Sequence, residues 1–205
     1  MRLVIIDYGM GNLRSVQKAF AKVGADAQIS SDANVVAEAK MLVLPGVGAF
    51  RDAMIALRER QLDQAIRSHI RAERPFLGIC LGYQLLFTKS YEDGAHPGLN
   101  LFAGDVLPFR QDTQDKVPHM GWNTTKHKHT SGTIFSEITD PAWFYFVHGY
   151  YVEPKIPFQI ALQTEYAGVA FASAFADGHT FATQFHPEKS QQVGLSILHR
   201  FNTLC

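Results

Sequence analysis

Three observations predict an α/β fold. From Met1 to Ser90, apolar segments alternate between a period of 2 and a period of 3.6, the pattern of strands alternating with helices. Beyond Gly98 the texture changes to β-branched and aromatic runs separated by turn residues, so the C-terminal half should add mostly strands. No internal repeat, low-complexity tract or long linker interrupts the chain, and its 205 residues are 46% hydrophobic, enough for a full core. One domain spanning residues 1–205 is therefore expected, with a largely parallel sheet wrapped by helices.

The apolar segment Arg2–Asp7 reads as the first strand, and Asn12–Val23 as a helix stopped by Gly24. The turn Gly9-Met10-Gly11-Asn12 lacks the third glycine of a dinucleotide fingerprint, so it reads as a cap for that helix. A short strand at Ala27–Ser30 follows, and Asp32 can cap a short helix. Met41–Leu44 is a buried strand, and a long amphipathic run covers Ala49–Arg71. Pro75–Ile79 has the composition of a short buried strand and Leu81–Lys89 that of a helix. Further strands are expected at Asp105–Phe109, Trp143–Val152, Gln159–Thr164, Val169–Phe175 and Thr180–Phe185, with a closing helix at Ser190–Phe201.

Composition excludes several classes of protein. Nineteen basic residues balance nineteen acidic ones, so no basic excess attracts nucleic acid or anionic lipid. The apolar stretch Leu3–Ile6 is far too short for a secretory core or a membrane span, and a cytoplasmic protein is expected. Two cysteines, Cys80 and Cys205, are too few for a disulfide framework; Cys205 reads as an ordinary terminal residue. The stretch Lys126-His127-Lys128-His129 has no carboxylate or thiol nearby. It reads as a solvated loop, with no metal and no cofactor assigned to the chain.

The chemistry concentrates at Gly78-Ile79-Cys80-Leu81-Gly82. Here Cys80 falls where strand becomes helix, the position of a nucleophile elbow. The flanking glycines occupy positions where a side chain would collide with neighbouring chain, and the start of the following helix favours thiolate. Far downstream, His186 and Glu188 lie two residues apart at a strand end, where extended chain, favoured before Pro187, puts them on one face. A carboxylate beside an imidazole holds the tautomer needed to take a thiol proton. Together these are the parts of an acyl-transfer site. The loop Pro45-Gly46-Val47-Gly48 leaves a strand at the carboxyl edge of the sheet, so an amide of Val47 or Gly48, with that of Leu81, can face an oxyanion. Gln84 sits one helical turn beyond Cys80 and either meets a polar substrate or faces solvent. In an extended Val117–Asn123 segment, Pro118, Met120 and Trp122 share one face, suited either to a partner or to the core.

The motifs Gly78-Ile79-Cys80-Leu81-Gly82-Tyr83-Gln84 and His186-Pro187-Glu188-Lys189-Ser190 resemble those of class I, triad-type glutamine amidotransferases. Pro45–Phe50, Val117–Asn123 and Tyr145–His148 are similar to segments of one branch, the glutaminase subunits of imidazole glycerol phosphate synthases, over nearly the whole chain. The resemblance implies a flavodoxin-like sheet and hydrolysis of L-glutamine through a γ-glutamyl thioester on Cys80, with His186 as proton shuttle and Glu188 as its orienter. It implies that ammonia passes to a separate (β/α)8 cyclase subunit in histidine biosynthesis, and that activity depends on that partner. It puts glutamine against Gly48, Gln84, His148, Gly149 and Tyr150. The partner is implied at Asn12, Pro118, Met120, Trp122, Tyr145 and Lys189. Gly149 departs from the Ser or Thr usual in the family, and Tyr83 from its frequent Met. The readings that compete are an amidotransferase serving an anthranilate, carbamoyl phosphate or guanylate pathway, a γ-glutamyl hydrolase without an acceptor, and a non-catalytic subunit of the same fold.

Overall fold

The computed structural model describes residues 3–110 and 115–204, so the expectation for Cys205 lies outside the described residues. In chain order the elements are β1 (Leu3–Ile6), α1 (Leu13–Lys22), β2 (Ala27–Ser30), α2 (Ala33–Glu38), β3 (Met41–Gly46), α3 (Phe50–Glu59), α4 (Leu62–Arg71), β4 (Phe76–Cys80) and α5 (Leu81–Gln84). Then come β5 (Phe87–Ser90), β6 (His96–Pro97), β7 (Phe102–Pro108), β8 (His119–His127), β9 (Ala142–His148) and β10 (Tyr150–Pro154). The chain ends with β11 (Ile160–Tyr166), β12 (Val169–Asp177), β13 (Thr180–Thr183) and α6 (Gln191–Asn202).

Nine strands form one sheet in the order β2-β1-β3-β4-β13-β12-β11-β8-β9. The first five are parallel neighbours, with the strand order of a flavodoxin-like fold, and the remaining four extend the same sheet as antiparallel strands. A smaller sheet, β10-β7-β5-β6, packs separately. Because side chains alternate along a strand, β1 feeds two cores: Leu3 and Ile5 enter one, Val4 and Ile6 the other. The first core is roofed by Val16, Ala19 and Phe20 of α1 and by Ile197, Leu198 and Phe201 of α6. The second is closed by Phe50, Ala53, Met54 and Leu57 of α3, Leu62 and Ile66 of α4, and Phe87, Val106 and Val152 of the small sheet. Strands buried on both faces explain the uninterrupted apolar runs at β1, β3 and β4.

Several expected elements differ. The run 49–71 is two helices, because Arg58–Gln61 offers the core no apolar side chain and Gln61 takes φ 57°, turning the chain so that Leu62 is buried again. The helix expected from Leu81 to Lys89 ends at Gln84, and Phe87–Ser90 instead pairs with β7. There Phe87 packs edge-on to Tyr83 and Phe175, a burial that outweighs local helix propensity. The strand expected over 143–152 divides at Gly149 between the two sheets. Lys126 and His127 are not loop: they continue β8, paired with Gln163 and Leu162. Asn12 stands at the start of α1 but makes no side-chain cap, whereas Asp32 accepts from Asn34 N at 2.8 Å as a cap should.

At the end of β4 the chain passes within contact of β3. A Cβ on Gly82 would lie 1.8 Å from the Leu44 carbonyl oxygen, and one on Gly78 would lie 2.9 Å from the Gly82 carbonyl oxygen. Backbone cannot yield there as a flexible side chain does. The Gly82→Ala protein is accordingly expected to lose about 3 kcal/mol or more of stability, read as the shift of its urea unfolding midpoint, while circular dichroism reports whether it still folds.

Candidate active site

The parallel pairs β3–β4 and β4–β13 bring three chain segments to one edge, with Gly46 opposite Cys80 and Thr183 opposite Ile79. Cys80 itself takes φ 56° and ψ −111°, a conformation few side chains adopt, which lifts its sulfur out of the strand. The turn of helix after it is only four residues long, too short for the macrodipole expected from a helix reaching Lys89. What remains near the sulfur is the local amide set of that single turn. The thiol donates to the Val147 carbonyl at 3.7 Å, and the Gln184 side-chain amide donates to the sulfur at 3.8 Å.

His186 is buried at the cavity beside Cys80, whose sulfur acts on the ring's proton affinity, and its Nδ1 lies 2.8 Å from Glu188 Oε1. The pair is not built on extended chain as expected: His186 is extended, but Pro187–Lys189 forms a 3-10 turn that swings the carboxylate back beneath the ring. Ser190 locks this turn, donating to the His186 carbonyl at 2.7 Å and accepting from Tyr145 N at 3.1 Å, while His186 N donates to Tyr145 O. Burial alone would lower the imidazole pKa. The adjacent Cys80, then the hydrogen-bonded carboxylate of Glu188, outweigh it and raise the pKa from 6.5 to about 10.

A cavity of about 200 Å³ opens beside the sulfur, lined by Val47, Gly48, Cys80, Leu81, Gln84, Glu92, Val147, His148, Gly149, Tyr150, His186 and Lys189. Every residue read from the sequence as nucleophile, base, oxyanion donor or glutamine contact, Glu188 apart, borders it. Glu188 stands behind His186 with its carboxylate buried. Gly48 has φ 95°, and a Cβ there would meet Met10 at 2.7 Å, so this loop conformation requires glycine. Gln84 does not face solvent: its amide donates to Tyr150 O at 3.0 Å and to Gln184 Oε1 at 3.1 Å, tying α5 to the small sheet and to the sulfur's neighbour. Glu92 escaped the sequence reading, since nothing local marks it. Its carboxylate accepts from Phe50 N at 2.8 Å, and burial raises its pKa. Tyr8 also went unread; its buried hydroxyl has no hydrogen-bond partner, and burial and the nearby Cys80 raise its pKa.

Outside the cavity, Pro118 and Asn12 are exposed, Met120 and Trp122 are 64% and 43% exposed, and Trp122 meets Tyr145 edge-on at 6.1 Å. Pairing of Trp122 with Tyr145 and of Thr124 with Trp143 adds a further exposed tryptophan to this face, at the edge of the sheet. The Lys189 ammonium lies 5.8 Å over the Tyr145 ring, between the cavity and the apolar face.

A strand-to-helix cysteine backed by histidine and a carboxylate, on a flavodoxin-like sheet, has a counterpart among known families: the model for Glutamine amidotransferase class-I matches residues 4–203, and the chain belongs to that family. Among individual proteins, imidazole glycerol phosphate synthase subunit HisH of Syntrophotalea carbinolica is 51% identical over 207 residues, covering 98% of this chain and 100% of that protein. The subunit of the same name from Rhodopirellula baltica is 48% identical over 201 residues, covering 98% of this chain and 97% of that one. The structure of PurLQS from Thermotoga maritima superposes with a TM-score of 0.77 at 16% identity, covering 98% of this chain and 96% of that chain, a likeness of fold.

The raised pKa sets a sign. His186 gains proton affinity on folding, so its contribution to stability is full below pH 6.5 and is lost as the pH rises through about 10. By NMR titration of the His186 ring, both Cys80→Ala and Glu188→Gln should move the midpoint downward, Cys80→Ala further. The fall in unfolding free energy from pH 6.5 to 10 should be shallower in both variants than in the parent.

Proposed function

We propose that this chain is the glutamine-hydrolysing subunit of an imidazole glycerol phosphate synthase, a single amidotransferase domain of the cytoplasm that feeds ammonia to a separate cyclase subunit in histidine biosynthesis. Relatives of that name, near 50% identical across almost their entire length, support the pathway and the division into subunits. The family match over residues 4–203 supports a single domain, and no helix among the described residues is long and apolar enough to cross a membrane. The observation that carries the chemistry is the buried line from Cys80 through His186 to Glu188 at the wall of an amino-acid-sized cavity, smaller than the usual range of pockets for drug-sized ligands.

In this reading Cys80 gives up its proton to His186, in keeping with that ring's raised pKa, before its sulfur attacks the side-chain amide carbon of glutamine. The oxyanion of the tetrahedral adduct is met by the Leu81 amide and by an amide of the Val47–Gly48 loop. His186 returns the proton to the leaving nitrogen as the C–N bond breaks, giving ammonia and a thioester. It then deprotonates the water that releases glutamate, each proton transfer contributing about a hundredfold to ten-thousandfold. Glu188 holds the ring and stabilises its charged form. Gly48, Gln84, His148, Gly149 and Tyr150 shape the substrate's berth, and Glu92, the one carboxylate among the residues lining the cavity, suits the substrate ammonium.

The cyclase, a (β/α)8 barrel in this reading, docks on Asn12, Pro118, Met120, Trp122, Tyr145 and Lys189. The exposed Met120 and Trp122 at the sheet edge support such a surface, because methionine and aromatic residues are enriched in interfaces. Docking there lies one strand pair from the cavity, so a partner-dependent glutaminase is the expected behaviour.

Two results follow. In the purified pair, Cys80→Ala abolishes glutamine-driven synthesis while synthesis driven by ammonium salt persists; loss of both, or survival of both, would count against the assignment. Trp122→Ala weakens association with the cyclase by about 2 kcal/mol, some thirtyfold in Kd by calorimetry, without altering the melting temperature of the free chain by more than a few degrees.

A further inference from the structure

Two histidines border the candidate active site, and the second is tied to a third. Pairing of β8 with β9 sets His119 directly opposite His148, both buried. His148 Nδ1 lies 2.8 Å from the Tyr150 carbonyl oxygen. A carbonyl only accepts, so Nδ1 carries the proton and, in a neutral ring, Nε2 is an acceptor. His119 Nδ1 is 3.0 Å from that Nε2 and must therefore donate to it. His119 Nε2 is then the acceptor, met by Asn123 Nδ2 at 3.2 Å.

The far end agrees independently. Thr124 N donates to Asn123 Oδ1 at 2.7 Å, which fixes the amide's orientation, and Asn123 Nδ2 also donates to the Glu165 carbonyl at 3.1 Å. Peptide groups at both ends thus impose one direction: Asn123 to His119 to His148 to Tyr150 O. Adding a proton to either ring would set N–H against N–H. Burial, acting first on both rings, lowers their pKa values to about 4 for His119 and about 3 for His148, consistent with two neutral rings. The His119 ring is also clamped in a stack, 4.7 Å from Phe146 and 3.8 Å from Tyr166.

We propose that His119 is a positioning residue for glutamine turnover: by donating to His148 it holds the Val147–Tyr150 wall of the cavity against Cys80, and it anchors that wall to β8. The proposal rests on the glutaminase reading of the cavity. It accounts for both nitrogens of His148, leaving His186 as the cavity-lining ring whose proton affinity Cys80 and Glu188 raise. The immediate neighbours of His119 in the chain, Pro118 and Met120, are exposed, so the residue joins the outer face of β8 to the cavity wall.

The test uses the chain paired with its cyclase at saturating partner concentration, with glutamine as substrate. His119→Phe keeps an aromatic ring for the stack but removes the donor, whereas His119→Asn puts an amide NH2 near the position of the lost Nδ1. Phe should reduce kcat/KM by about fivefold or more and Asn should restore it to within about twofold, the span expected for one buried acceptor left unmet. Independently, long-range proton–nitrogen NMR spectra of the parent should report Nδ1–H tautomers for both His119 and His148. Parent-like turnover in a folded His119→Phe protein, an Asn variant no better than Phe, or an Nε2–H tautomer at either ring would overturn the proposal. Glutamine turnover that survives Cys80→Ala would instead overturn the reading of the cavity, and the tautomer measurement judges the hydrogen-bond chain either way.

Discussion

The site depends on a backbone held where it would not rest alone. Cys80 has φ 56° and ψ −111°, a conformation that costs on the order of 1 to 3 kcal/mol for a side-chain-bearing residue. It persists because β4 is locked on both sides, by β3 through Gly46 and by β13 through Thr183, and because both faces of the sheet are buried. The glycines at 78 and 82 are the counterpart of that lock, since neither position has room for one more carbon. Strain of this size is tolerable only beside a core this extensive, so the nucleophile's exposure to its cavity is a property of the central sheet rather than of the loop.

The remaining groups are aligned by backbone hydrogen bonds to the same sheet. The 186–190 turn is stitched to β9 through Tyr145 and Ser190, and β9 carries His148 and the Val147 carbonyl that accepts the thiol's hydrogen bond. His186, Cys80 and the cavity wall therefore share β9 as a common support. Among the described residues that strand stands last in the sheet order, beside β8, with Trp143 exposed and Tyr145 half-buried on its outer face. Under the proposed function, a partner seated on this edge would press on the strand that supports Cys80, His186 and the cavity wall, a physical route for partner-dependent activity that leaves the sheet's centre unmoved.

How much of this was legible in the sequence follows from where each signal resides. The elements up to β4 could be read because burial on both faces leaves continuous apolar runs punctuated by Gly24, Asp32 and Gly46-Val47-Gly48. The elbow could be read because glycine on both sides of a cysteine answers a local steric demand. Helix 81–89 misled because Leu85, Leu86 and Phe87 suit either state alone, and the pairing with β7 that decides between them is non-local. The division of 143–152 at Gly149 has the same origin, two sheets competing for one apolar stretch. Glu92 and His119 were invisible for a different reason. Each derives its role from a partner far along the chain, Phe50 for one and His148 for the other. In the segment 117–123 the apolar Met120 and Trp122 mark one face, whereas alternation along the strand puts His119 on the opposite, buried side.

Gly149 stands where the resemblance noted in the sequence implies Ser or Thr, and its surroundings bear on that difference. A Cβ there would meet only Pro118 and Val117, at 3.9 and 4.0 Å, which is ordinary contact, and its backbone is not in the left-handed region. Neither space nor conformation therefore demands glycine at this position. The wall it belongs to is held by other groups: the Gly149 carbonyl accepts from Phe109 N, and Tyr150 O accepts from both His148 and Gln84. Since those bonds use backbone atoms of 149 and 150, losing a hydroxyl at 149 leaves the wall's geometry intact. What a side chain at 149 would add is confined to that side chain, and the backbone geometry of the wall does not depend on it.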